Sequence, residues 1–247
     1  MSEESPKAYL LPNLMTSGNL VSGFAATLSI LRGPPWQGAS PDRPAEGLYW
    51  ALGFILVACL FDLLDGPLAR LRGQQNAFGR EFDSLADLVS FGVAPALLVY
   101  RLVLQDYPPI GWVIASIYLL CGALRLARFN CAATATLKPG AAKDFEGLPI
   151  PVSAGLLASL VWCVLWLTPD TRQVGAGKFV LPPVMLFLSF MMLSRFRYPR
   201  FKVLSFRTRH PALKSLALLT VLIFTGLNFR WMPAALFLSY LLYGFLH

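Results

Sequence analysis

The chain has 247 residues, 56% of them apolar and only 14% charged, with a formal net charge of +8. That balance excludes an ordinary soluble domain. It points to an all-α, polytopic membrane bundle formed by one domain over residues 1–247.

A hydrocarbon core of ~30 Å takes roughly 20 apolar residues per helix. On that basis the sequence predicts eight spans, near residues 14–31, 47–65, 85–104, 110–126, 149–168, 179–194, 212–228 and 231–246. The third and fourth are separated by QDYPPI and the last two by NFR, so each pair is expected as a tight antiparallel hairpin. The first ten residues are polar and mixed in charge, so no cleavable signal peptide is expected and the first apolar segment stays as a helix.

The first span opens with YLLPNLMTSGNLVSGF, which brings Asn13, Thr16 and Asn19 to one face beside Gly18 and Gly23. Two readings stand at this point: caps and small-residue packing positions, or a polar lining for a ligand site. The loop RGPPWQGASPDRPAEG that follows is rich in Pro and Gly and carries no evident chemistry.

The second span delivers the stretch DLLDGPLARLRGQQNAFGREFDSLAD, residues 62–87, which holds five of the thirteen Asp and Glu of the whole chain. Asp62, Asp65, Gly66, Ala69 and Arg70 sit at i, i+3, i+4, i+7 and i+8, one stripe of a helix. Gly79, Asp83 and Asp87 form a matching stripe on the next helix. Four carboxylates gathered at a membrane face repel one another unless cations sit among them. All-oxygen ligands favour hard ions, so Mg²⁺ or Mn²⁺ is expected, two of them for four aspartates. Arg70 suits a phosphate, because its planar fork meets phosphate oxygens at two points. Gly66 and Ala69 clear bulk from the surface between. Metals, a phosphate clamp and a cleared surface together predict a site for a nucleotide diphosphate. Pro67 has no N–H for the Leu63 carbonyl, which allows a kink there.

In the third span Ser90, Gly92 and Ala94 make a small-residue surface interrupted by Pro95. The fourth ends in CGALRLARFNCAA, where Arg125, Arg128 and Asn130 are too polar to face lipid. Snorkelling anchors are the alternative for the two arginines. KDFEGLPIPVSAG then enters the fifth span through two prolines. Cys59, Cys121, Cys131 and Cys163 show no CxxC pairing and are read as packing residues. His210 and His247 are isolated, which leaves aspartate as the metal-ligand set.

The pattern D-x2-D-G-x2-A-R-x8-G-x3-D-x3-D resembles the signature of the CDP-alcohol phosphatidyltransferases. Here Asp62, Asp65, Gly66, Ala69, Arg70, Gly79, Asp83 and Asp87 fill every position. The LPN-x2-T-x2-N run, RLARFN and FEGLPIP resemble segments of the phosphatidylserine synthases within that family, so the likeness covers roughly residues 9–165. The resemblance implies a catalytic core over about 9–194 followed by a helical hairpin over about 212–246. It implies CDP-diacylglycerol and L-serine as substrates, and phosphatidylserine and CMP as products. Asp62, Asp65, Asp83 and Asp87 would hold the metals, with Asp87 also the general base. Asn13, Thr16, Gly66, Ala69, Arg70 and Gly79 would hold the CDP moiety, and Arg125 and Arg128 the serine or the lipid phosphate. A homodimer is implied as well. Three rivals stay open: the same chemistry on glycerol 3-phosphate or an inositol phosphate, an intramembrane prenyltransferase, and a divalent-cation transporter.

About two-thirds of the basic residues fall in Lys7 and the segments 70–80, 125–143 and 195–214. Eight spans put all of these on one side, which the positive-inside bias makes cytoplasmic, in a cell (inner) membrane. The basic run SRFRYPRFKVLSFRTRHPALK is flanked by spans and suits anionic lipid headgroups rather than nucleic acid. This topology predicts that single cysteines at Gln74 and Thr208, in a background without native cysteines, label from the cytoplasmic side, and one at Ser40 from the other. Labelling of positions 74 and 208 from opposite sides would break it.

Overall fold

The computed structural model describes residues 10–32, 44–71, 77–135, 147–167 and 177–194. All regular structure among them is helical. Helix α1 covers Leu10–Arg32, α2 Pro44–Leu71, α3 Ala77–Asp87, α4 Ala94–Leu102, α5 Gly111–Ala135, α6 Ile150–Leu167 and α7 Gly177–Leu193. Five stretches are long and apolar enough to cross a membrane: Asn13–Arg32, Glu46–Leu64, Phe78–Leu102, Gly111–Ala132 and Ile150–Leu167. Phe179–Leu193 is a shorter apolar helix. The expected spans at 212–228 and 231–246 lie outside the described residues.

The acidic helix and the third span are one rod. Between α3 and α4 the chain winds as a π-helical segment, Leu88–Val93, in which the Ala94 N–H bonds the Val89 carbonyl five residues back. Pro95 explains a defect here, since it has no N–H to offer the Phe91 carbonyl four residues earlier. The buried Tyr118 hydroxyl of α5 donates to that carbonyl at 3.2 Å. The fourth span extends beyond its expected end at residue 126, to Ala135, because RLARFNCAATA holds no Pro or Gly to stop it.

Contacts fix the directions of the helices. Gly18 near the start of α1 meets Phe61 near the end of α2, so these two run antiparallel. Asn19 bonds Asp87 and Gly23 touches Ser90, so α1 and the α3–α4 rod run parallel. Asn130 bonds Ser84 while Tyr118 bonds Phe91, which makes α5 antiparallel to that rod. The start of α6 lies against Gly122 of α5, and Leu148 just before it donates to the Met191 carbonyl of α7 at 3.1 Å. At the far end of α6 the Tyr49 ring of α2 meets Trp162 edge-on, 5.4 Å between centroids. Asp62, Asp83 and Asp87 therefore sit at one end of the bundle, with the starts of α1, α3 and α6 and the ends of α2, α5 and α7, while the exposed Asp106 lies at the other, between α4 and α5.

The core is aliphatic, with α6 buried over most of its surface. Outward-facing Val21, Phe24, Leu31, Leu60, Leu120 and Leu124 suit lipid contact. Helix α1 approaches the π-helical segment closely. A Cβ on Gly23 would lie 2.6 Å from the Ser90 Cα, a backbone atom that cannot step aside. Gly53 of α2, by contrast, has nothing within 4 Å of its Cβ position. Gly23→Ala is therefore expected to cost about 1–3 kcal/mol through overpacking, seen as a lower melting temperature in detergent, while Gly53→Ala leaves it unchanged or raises it. Equal effects of the two would remove the close contact as a determinant of stability.

Candidate functional site

Asp62 comes from the last turns of α2, Asp83 from α3 and Asp87 from the point where α3 passes into the π-helical segment. One carboxylate oxygen from each lies within 4.8 Å of the others. Two parallel rods and one antiparallel helix thus bring together residues that the i, i+3 and i, i+4 spacing had assigned to two separate stripes. Asp62 and Asp83 are half-buried, and Asp87 is 7% exposed. Both neighbours repel Asp87, while Asn19 and Arg125 attract it.

A divalent ion fits this arrangement. Mg²⁺ binds oxygen at about 2.0–2.1 Å, which puts opposite ligands about 4.2 Å apart, and Ca²⁺-sized shells are wider. The donor set is all oxygen, which selects hard ions. Beside it the Asn19 Oδ1 atom, an acceptor, is buried without a hydrogen-bond donor. An acceptor-rich pocket with an orphaned carbonyl oxygen is suited to a cation and not to a further anion.

The remaining expected residues divide. Asn13 stands beside Gly79, its Oδ1 atom 3.7 Å from where a Gly79 Cβ would be, so these two meet between α1 and α3. Thr16 is buried on α1 one turn before Asn19. Asp65, Gly66, Ala69 and Arg70 belong to α2, which continues through Pro67 to Leu71; their side chains lie outside the described residues. Arg125 of α5 is half-buried, with its guanidinium 5.9 Å from the Phe129 ring centroid. Arg128 is exposed and donates to the Leu193 carbonyl at 3.2 Å, at the last turn of α7. That is the favourable end of a helix for a cation.

Several polar contacts had no sequence signal strong enough to assign them. Asn130 of α5 donates to Glu81 Oε2 and to Ser84 Oγ, both at 3.0 Å, and so ties α3 to α5 beside Asp83. Glu81 and Ser84 are three apart, and that spacing was the available clue to a shared face. Asn19 donates to Asp87 Oδ1 at 3.0 Å. Its own backbone carbonyl accepts the Ser90 hydroxyl at 2.9 Å.

Comparison with known proteins agrees with the geometry. Residues 9–193 match the model of the CDP-alcohol phosphatidyltransferase family. The chain belongs to that family. It is 35% identical over 245 residues to the CDP-diacylglycerol–serine O-phosphatidyltransferase of Helicobacter pylori strain J99, covering 96% of this chain and 90% of the relative. The enzyme of the same name from Bacillus subtilis is 32% identical over 192 residues, 78% of this chain and 91% of the relative. The archaetidylserine synthase of Methanothermobacter thermautotrophicus is 35% identical over 192 residues, 77% and 70% of the two chains. The likeness therefore reaches well past residue 165, where the recognisable motifs end.

The three gathered carboxylates could hold a metal ion. Asp62→Asn and Asp83→Asn are each expected to weaken Mn²⁺ binding at least tenfold, read by electron paramagnetic resonance in detergent, since each removes a charged partner of ~1.5–3 kcal/mol. Unchanged affinity in both would exclude the cluster as the metal site.

Proposed function

We propose that the protein transfers the phosphatidyl group of CDP-diacylglycerol to the hydroxyl of L-serine, giving phosphatidylserine and CMP. The observation that carries this reading is the carboxylate cluster at one end of a membrane bundle, in a chain whose relatives over most of its length are named as serine O-phosphatidyltransferases. The serine oxygen attacks the β-phosphorus, the bond from that phosphorus to the oxygen of CMP breaks, and the serine proton passes to a base. Such transfer needs alignment and charge neutralisation more than covalent chemistry by the protein.

Asp62, Asp65, Asp83 and Asp87 hold two ions, Mg²⁺ or Mn²⁺, which when bound neutralise the pyrophosphate. Asp87 also takes the serine proton; it is the most buried of the three clustered carboxylates. Asn13, Thr16 and Gly79 bind the CDP moiety from between α1 and α3, together with Gly66, Ala69 and Arg70 of α2. The diacyl part lies among the apolar helix surfaces, so the protein draws one substrate from the membrane and the other from water. The active site faces the cytoplasm, eight spans form the full bundle, and the enzyme works as a homodimer. A transporter would need carboxylates in mid-span with access from both sides, whereas these gather at one end.

Serine is a zwitterion, and its carboxylate needs a cation near the base. Arg125 meets that need, because its charge reaches Asp87. Arg128 is engaged with the end of α7 and is better suited to a lipid phosphate. Arg125→Lys should raise the KM for serine roughly ten- to hundredfold, with CDP-diacylglycerol binding nearly unchanged, because Lys lacks the two-point geometry. Arg128→Lys should leave the KM for serine within a few-fold. The direct check is CMP release from CDP-diacylglycerol by purified protein with Mn²⁺ or Mg²⁺ and a panel of acceptors. A preference for glycerol 3-phosphate over serine would overturn the acceptor while leaving the aspartate site standing.

A further inference from the structure

Asp87 is buried beside two groups that oppose its charge, with Arg125 attracting it, and its position depends on what holds it. Asp62 and Asp83 both repel it. Among the described residues one hydrogen-bond donor reaches it, the Asn19 carboxamide at 3.0 Å from Oδ1. The orientation of that amide is not arbitrary: turned over, it would set its carbonyl oxygen against a carboxylate oxygen. Asn19 is itself enclosed and tied to the rod at its backbone. It is 0% exposed, the Ser90 hydroxyl bonds its backbone carbonyl at 2.9 Å, and the neighbouring Gly23–Ser90 contact lets the two backbones meet. Ser90 is three residues beyond Asp87 on the same rod. The two bonds thus cross in opposite directions, side chain to side chain at Asp87 and side chain to backbone at Ser90, and form a two-point clamp between α1 and the start of the π-helical segment.

We propose that Asn19 is a positioning residue for Asp87, fixing the plane of its carboxylate so that the charge stays directed into the cluster shared with Asp62 and Asp83. The proposal rests on the reading of that cluster as the metal-dependent reaction centre, and it gives Asn19 a duty different from binding the nucleotide with Asn13 and Thr16. A residue that binds the nucleotide would act on nucleotide affinity. One that orients Asp87 acts on the ion and on turnover, and does so only while Asp87 is a carboxylate.

The test is a double-mutant cycle on the full-length protein in detergent, with Mn²⁺ affinity from electron paramagnetic resonance as the first readout and steady-state kinetics as the second. Asn19→Ala should weaken Mn²⁺ binding and lower kcat by roughly ten- to hundredfold, the scale of one hydrogen bond to a charged group. KM for CDP-diacylglycerol should stay within about threefold of the native value, on the same reasoning that uniform binding is untouched. In the Asp87→Asn background, Asn19→Ala should change Mn²⁺ affinity by less than about twofold, because groups acting through one another are not additive. Ser29→Ala, another buried hydroxyl of α1 bonded within its own helix, serves as the packing control and should leave Mn²⁺ affinity unchanged.

Additive losses of Mn²⁺ affinity in the cycle would overturn the proposal, since Asn19 would then act independently of Asp87. So would a large rise in KM for CDP-diacylglycerol with kcat preserved, which would return Asn19 to the nucleotide site. If Asn19→Ala fails to fold, Asn19→Ser keeps a polar group at the position but withdraws the donor from reach, and the same cycle is read with it. The metal readout stands whether or not serine is the acceptor: coupling between residues 19 and 87 in a protein that rejects serine would sink the acceptor and keep the clamp, and absent coupling in an active serine transferase would do the reverse.

Discussion

Three carboxylates within 4.8 Å of one another at one end of a membrane bundle are a constraint that the rest of the structure has to satisfy. At an effective dielectric of about 20, two unit charges at that separation repel by roughly 3–4 kcal/mol. Three such pairs come to about 10 kcal/mol, comparable with the whole net stability of an ordinary domain. The helices carrying them must therefore be held together by other means, and the cluster must gain a cation or protons. Divalent ions remove the repulsion and turn it into attraction. The same repulsion would favour a cation bound among the three carboxylates.

What holds the helices is packing at places where side chains have been removed. Gly18 receives the Phe61 ring, Gly23 receives Ser90, and Gly122 receives Ile150, each at a distance a larger residue would not permit. In lipid there is little hydrophobic drive between helices, so close van der Waals contact and a few polar links carry the association. The polar links are concentrated near the carboxylates: Asn19 to Asp87, Ser90 to Asn19, Asn130 to Glu81 and Ser84. The first two join the α3–α4 rod to α1, and those of Asn130 join it to α5. Aliphatic packing dominates toward the opposite end, where the aspartates place no such demand.

The legible part of this structure was what repeats along a helix. Asp83 and Asp87 could be placed on a common face from spacing alone, and the apolar runs marked the first, second and fifth spans to within a few residues, while the third begins earlier, at Phe78, and the fourth runs further, to Ala132. Contacts made across helices were not legible in that way. Asn19 was visible as a polar residue in the first span, but no periodicity says that it meets a residue 68 positions later. Asn130 was recognisably too polar for lipid, yet its partners Glu81 and Ser84 could not be named. Arg128 looked like a ligand-binding residue beside Arg125, and its bond to the end of α7 follows from where α7 stops. The π-helical segment was hidden for another reason. Pro95 announces a missing donor, but whether the helix kinks, breaks or widens depends on who satisfies the Phe91 carbonyl, and that is Tyr118, on another helix.

That widened turn has a consequence for the site. Asp87 is the last residue of α3, and the π-helical winding begins at the next one. One extra residue in a turn rotates everything before it relative to everything after it. The face of α3 that presents Asp83 and Asp87 to α1 and α2 is therefore set partly by Pro95 and Tyr118. On the α4 side the rod packs by its aliphatic surface, with Leu98, Val99 and Leu102 buried. On the α3 side it packs by its polar groups. The π-helical turn lets one continuous rod satisfy both demands, aligning its apolar half with the core and its acidic half with the cluster. A regular α-helix over the same residues would keep a single phase along its length, and could meet one of those alignments only at the expense of the other.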